Sequence, residues 1–157
     1  MVHMRKLYAT VAATVVAIGL ANLVRIEQKN MPVNPAESIE AQTRMPHDVA
    51  SILQRACQDC HSERTQWPWY GKVAPFQWLI AADVYGARAH MNLSTWGRYK
   101  TEERAERLIS ICEMVAGDKM PLLHYKMGHY PAAWLAPADK KAVCDWVNAE
   151  VALNAAN

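Results

Sequence analysis

Cys57, Cys60 and His61 lie within five residues of one another, in the stretch RACQDCHSERTQWPWYG from Arg55 to Gly71. Two thiols and an imidazole at this spacing suit three kinds of chemistry: a redox dithiol, part of a zinc site, or a covalent attachment point for haem. A thioredoxin-like dithiol needs a βαβ setting, and the chain shows none. A zinc site needs four ligands, and the two remaining cysteines, Cys112 and Cys144, form no second knuckle. The order C-x-x-C-H is the attachment signature of c-type haem. On a helical turn the two thiols face one edge of a porphyrin and add to its two vinyl groups, and His61 offers a nitrogen to the iron. That reading predicts one haem c, held through two thioethers.

An electron-carrying haem iron takes a second axial ligand, and a methionine opposite a histidine raises its potential. Met120, in GDKMPLL, lies between the helix-stopping Gly117 and Pro121, so the backbone is held extended and the thioether can be aimed. The plain alternative is a core-filling methionine. His124 and His129, in the same loop, are its rivals for the iron, Met127 is a weaker one, and a vacant position is the third outcome. His47 reads as a solvated residue of a first helical turn, and His90 as the end of a helix whose free carbonyls it satisfies.

These residues must be positioned by a small domain. After Arg5 and Lys6 comes LYATVAATVVAIGLANLV, about 18 residues without a charge, which is a retained membrane anchor or a cleaved signal, its length favouring the anchor. The basic pair directs the rest of the chain out of the cytoplasm. Residues 25–44 are polar and broken by Pro32 and Pro35, and read as a linker lying along the domain surface. From 45 to 157 the apolar spacing is helical: a helix after Pro46 delivers Cys57–His61, a second opens at Pro75, a third runs from Thr101 to Gly117, and a fourth opens at Pro137. No strand and no repeat is found. The expected fold is all-α, a domain of about four helices behind an N-terminal transmembrane or signal helix.

Charge and composition exclude other classes. A formal net charge of +2, with no cluster of Lys and Arg, speaks against nucleic acid. Six Trp and six Tyr against one Phe favour rings with a hydrogen-bonding handle, which suit the margin of a pocket. No acid, base or nucleophile stands out for substrate chemistry. Cys112 and Cys144 fall on the third and last helices, where they form either a disulfide or a pair of buried thiols.

A Met-Pro loop ahead of a closing helix resembles class I cytochromes c. The stretches CQDCHSERTQWPWYGKVAPFQWLI, HMNLSTW, GDKMP and HYPAAWL together resemble the bacterial haem-binding domain family with a single C-x-x-C-H, over about Pro32 to Val151. The resemblance implies a membrane-associated or periplasmic c-type haem domain, of a family sometimes linked to peroxidase-like cytochromes. It implies thioethers at Cys57 and Cys60, His61 and Met120 on the iron, and Trp67, Trp69 and Tyr70, with Pro68, as cover for the haem. Leu122 departs from the family's second proline, and Ala82 stands where many relatives have His, which removes one rival to Met120.

The expected function is a monohaem cytochrome on the periplasmic side of the cytoplasmic membrane, passing single electrons between redox partner proteins. The alternative is a peroxidase-like enzyme or ligand sensor with a labile or open sixth iron position.

Overall fold

The computed structural model describes residues 2–155, with no strand among them. The all-α expectation holds. Eight α-helices follow in order: α1 (Val2–Ala21), α2 (Ile39–Gln42), α3 (His47–Ala56), α4 (Gln58–His61), α5 (Phe76–His90), α6 (Thr101–Ala116), α7 (Leu123–Gly128) and α8 (Pro137–Ala155). The four long helices after α1 are those the sequence pattern predicts; the short α2 precedes them, and the short α4 and α7 are inserted between them. Three 3-10 turns, Pro35–Glu37, Trp69–Lys72 and Leu93–Arg98, make corners.

In α1 the stretch His3–Ala21 has a mean hydropathy of 1.3, and its side chains are not buried against the domain. At 1.5 Å per residue it extends about 28 Å, close to the hydrocarbon thickness of a bilayer. The helix is therefore long and apolar enough to cross a membrane, as an anchor or as a signal segment.

The core forms where three amphipathic stripes meet. In α3, Val49, Ile52, Leu53 and Ala56 are buried at helical spacing; in α6, Leu108, Ile111 and Val115; in α8, Val143, Trp146 and Val147. Leu93 and Trp96, from the 3-10 turn, close the cluster. Packing of α6 is chiefly against α8, and the Cys112–Cys144 disulfide joins the two with Cα atoms 4.8 Å apart. Of the two states the sequence left open, the structure has the bridge. Its closure of a loop with a sequence separation of 32 contributes about 3–4 kcal/mol by the chain-entropy relation.

The polar stretch 25–44 is more than a surface linker. Its second half carries Ile39, which is fully buried in the core. Asn34 caps the Pro35–Glu37 turn, and Ser38 then caps α2, so two successive caps turn Ile39 inward. Truncation of this side chain removes core contacts. Ile39→Ala is expected to lower stability by about 2–4 kcal/mol in urea unfolding; a loss under about 1 kcal/mol, the range of surface positions, would place the segment outside the core.

The first half of the stretch is an extended strap. Asn22 Oδ1 accepts from Ala74 N (3.0 Å), Gln77 Nε2 donates to Val24 O (3.0 Å), and Tyr85 Oη donates to Glu27 O. The strap thus ties the end of α1 to α5 and to the turn before it.

Candidate functional site

Cys57 sits at the junction of α3 and α4. Its N–H closes α3 on Leu53 O (2.9 Å), and its own carbonyl accepts from Cys60 N (3.2 Å) and His61 N (2.9 Å). The motif therefore wraps a single turn, as its spacing predicts. The next residues clasp it: Ser62 Oγ donates to Gln58 O (2.7 Å) and accepts from Arg64 N (3.0 Å), and Thr65 Oγ1 donates to Asp59 O (2.6 Å).

Arg88 of α5 holds this turn from below. Four hydrogen bonds and one ion pair engage its guanidinium. Nε reaches Ser62 O (2.8 Å), Nη1 reaches Lys29 O (3.1 Å) and Glu63 Oε2 (2.8 Å), and Nη2 reaches Asn30 Oδ1 (2.6 Å) and Thr65 Oγ1 (2.7 Å). Both partners of the Arg88–Glu63 ion pair are buried, with side-chain exposures of 7% and 8%. Glu63 also accepts from Met31 N (2.8 Å) and Asn92 Nδ2 (2.9 Å). A buried charge pair persists where both members are hydrogen-bonded in this way. Nothing local in the sequence marks Arg88 for the role.

Met120 is placed by the end of α6. Gly117 caps the helix, as expected, but the left-handed residue is Asp118, with φ 57°. Lys119 N and Asp118 N bond back to Met114 O (2.9 Å) and Val115 O (3.3 Å), a Schellman closure. Met120 N also reaches Met114 O (3.1 Å). Two tethers then hold the following loop over the motif: Tyr125 Oη donates to Asp59 Oδ2 (2.9 Å), and His124 Nε2 pairs with Asp83 Oδ2 (2.7 Å). The loop is not wholly extended, because α7 occupies its middle.

Cys57, Cys60, His61 and Met120 converge on one cavity of 340 Å³. Its walls are mostly apolar, from Leu53, Leu93, Ile111, Val115 and Pro121 among others, with Ala82 and Gly86 of α5 at the solvent side. The His61 ring has one nitrogen committed: Nδ1 lies 3.1 Å from Met91 O, so as the N–H donor it leaves Nε2 with a free lone pair. Burial lowers the pKa of His61, which keeps the ring neutral, the form that binds metal.

Burial pushes the Cys57 thiol up to about 12, with neighbouring Cys60 adding to it, and the Cys60 thiol up to about 11, with Asp83 adding. A catalytic dithiol works through a thiolate with lowered pKa, so this pair is ill suited to it. Burial and Asp59 likewise raise the pKa of Tyr125, which stays a hydrogen-bond donor.

The aromatic block stands apart from the residues that line this cavity. Trp67, Trp69 and Tyr70 are absent from its lining. Trp67 Nε1 donates to Asn30 Oδ1 (3.3 Å) and its ring packs on Tyr85 and Arg88, so it serves the strap. Trp69 is 80% exposed and meets Tyr70 edge to face, and Tyr70 in turn meets Phe76. The 3-10 turn after Pro68 carries Trp69 and Tyr70 toward α5, while Trp67 packs with the strap.

His124 and His129, the histidine rivals to Met120, also lie outside the lining; His124 is held by Asp83, and His129 stacks on Tyr125. The cavity instead receives Met91, Met114 and His90. Met114 falls one turn beyond Ser110 and next to Val115 on α6, so a helical projection of that face was the available signal.

A cavity with two thiols, a neutral imidazole, thioethers and apolar walls has the makeup of a haem pocket, and its donor set fits a porphyrin iron. The chain belongs to the haem-binding domain family: the model of that family, described as a haem-binding domain, matches residues 16–149. No curated protein and no solved structure gave a match.

Proposed function

We propose that the protein is an exported, membrane-anchored monohaem c-type cytochrome that passes single electrons between redox partner proteins on the periplasmic side of the cytoplasmic membrane. One observation carries the reading: Cys57, Cys60, His61 and Met120 line the same apolar cavity, with His61 Nδ1 at Met91 O. Cys57 and Cys60 would hold haem through thioethers, and His61 and Met120 would ligate its iron. Bound there, haem supplies a one-electron couple at its iron. The protein's own part is to fix the ligands and limit water. Met91 O orients the imidazole, the Schellman closure and the Asp59–Tyr125 bond restrain the Met120 loop, and the apolar walls disfavour added charge. The Cys112–Cys144 disulfide supports an oxidising compartment, and the apolar α1 supports the membrane attachment. Residues 1–24 would be the anchor and 45–157 the haem domain.

A second reading, a peroxidase-like enzyme or ligand sensor with a labile sixth position, draws on Asp83. This carboxylate lines the cavity and pairs with His124, an acid–base couple at the pocket. The visible spectrum separates the two readings. The oxidised protein is expected to show the weak far-red sulfur-to-iron band, and Met120→Ala to lose it. If the native band is absent and Met120→Ala leaves the spectrum unchanged, Met120 is not the ligand and the second reading takes precedence. If the native band survives in Met120→Ala, the thioether is that of Met114 or Met91.

A further inference from the structure

We infer that the aromatic block and the first turn of α5 form a membrane foot, which seats in the bilayer interface beside the exit of α1. The inference rests on α1 being a retained anchor. Trp69 (80%) and Phe76 (51%) are exposed, as are Val73, Trp78 and Leu79, although their sequence neighbours Gly71, Ala74 and Gln77 are buried. Trp69, Tyr70 and Phe76 form a chain of edge-to-face rings, so this is one patch and not scattered apolar residues.

Its position relative to the membrane is fixed by the strap. Asn22, the residue after α1, accepts from Ala74 N at 3.0 Å, and Val24 O accepts from Gln77. Leu23 and Val24, also exposed, continue the patch up to the helix. A surface tied within one residue of a membrane span lies at the depth of the headgroups. Trp and Tyr concentrate there because each has an apolar body and a polar tip. The occupant is the lipid interface itself.

The consequence is orientation. Membrane contact at Phe76 puts the N-terminal end of α5 down, while the cavity is lined by Ala82 to His90 of the same helix. The domain would stand with a set face to the bilayer instead of swinging on a flexible tether.

The test uses the full haem-loaded chain in phosphatidylcholine liposomes, with Trp69→Cys and, as reference, Tyr130→Cys, which replaces another well-exposed ring outside the cavity lining. A membrane-impermeant maleimide is added, and each labelling rate is divided by that of the same variant unfolded in urea. Trp69→Cys is expected to label about tenfold more slowly than Tyr130→Cys, the ratio that corresponds to about 1.4 kcal/mol of protection. Equal normalised rates, with α1 present by intact mass, would overturn the foot and leave the anchor standing. A mature chain from native membranes that lacks α1 by mass would overturn both.

Discussion

Arg88→Ala is expected to destabilise the protein by about 3–5 kcal/mol, the cost of breaking a buried ion pair by removing one partner. The magnitude follows from what remains. Glu63 keeps its bonds from Met31 and Asn92 but stays buried without a cation, while Ser62 O, Thr65 Oγ1 and Asn30 Oδ1 each lose a donor. Single domains are typically stable by about 5–15 kcal/mol, so a loss of this size leaves the variant near its threshold. Arg88→Lys is expected to recover little, because an ammonium brings three donors to five acceptors and lacks the planar fork. Denaturant unfolding measures both variants. A loss under about 1 kcal/mol for Arg88→Ala would mean that the clamp contributes no more than an exposed pair.

His61→Ala is the second large effect, and it falls on the spectrum. On the proposed ligation, His61 supplies the nitrogen whose other side is fixed by Met91 O at 3.1 Å. With the imidazole gone, the thioethers at Cys57 and Cys60 are expected to form still, since those thiols are untouched. The low-spin absorption spectrum is expected to be lost, with a high-spin pattern in its place. His124→Ala and His129→Ala are expected to keep the native spectrum, because neither ring lines the cavity. A low-spin spectrum that survives His61→Ala and disappears in one of the other two would reassign the nitrogen ligand.

Short-range chemistry was the legible part of this chain. Cys57, Cys60 and His61 are bound together by a single helical turn, so their spacing alone carries their geometry. Met120 could be read because a helix stop and a proline bracket it. The four long helices declared themselves through apolar periodicity and, for α3, α5 and α8, through prolines at their starts. Long-range pairing was not legible. Arg88 looks like any helix arginine until Lys29, Asn30, Ser62, Glu63 and Thr65 converge on it from two other segments. Ile39 is one of several apolar residues scattered without helical spacing through a polar stretch, and the caps at Asn34 and Ser38 turn it inward.

The aromatic block shows the limit from the other side. Trp67, Trp69 and Tyr70 advertise an interface by residue type, but type does not say which interface. The fold gives Trp67 to the strap and leaves Trp69 in the open.

The most direct test of the account is peptide mass mapping of the native protein, isolated from membranes after acid and organic extraction of any loosely held haem. The account predicts that the peptide containing Cys57, Cys60 and His61 carries the mass of one haem, attached through both sulfurs. An unmodified peptide with two free thiols, or a disulfide between Cys57 and Cys60, would contradict it.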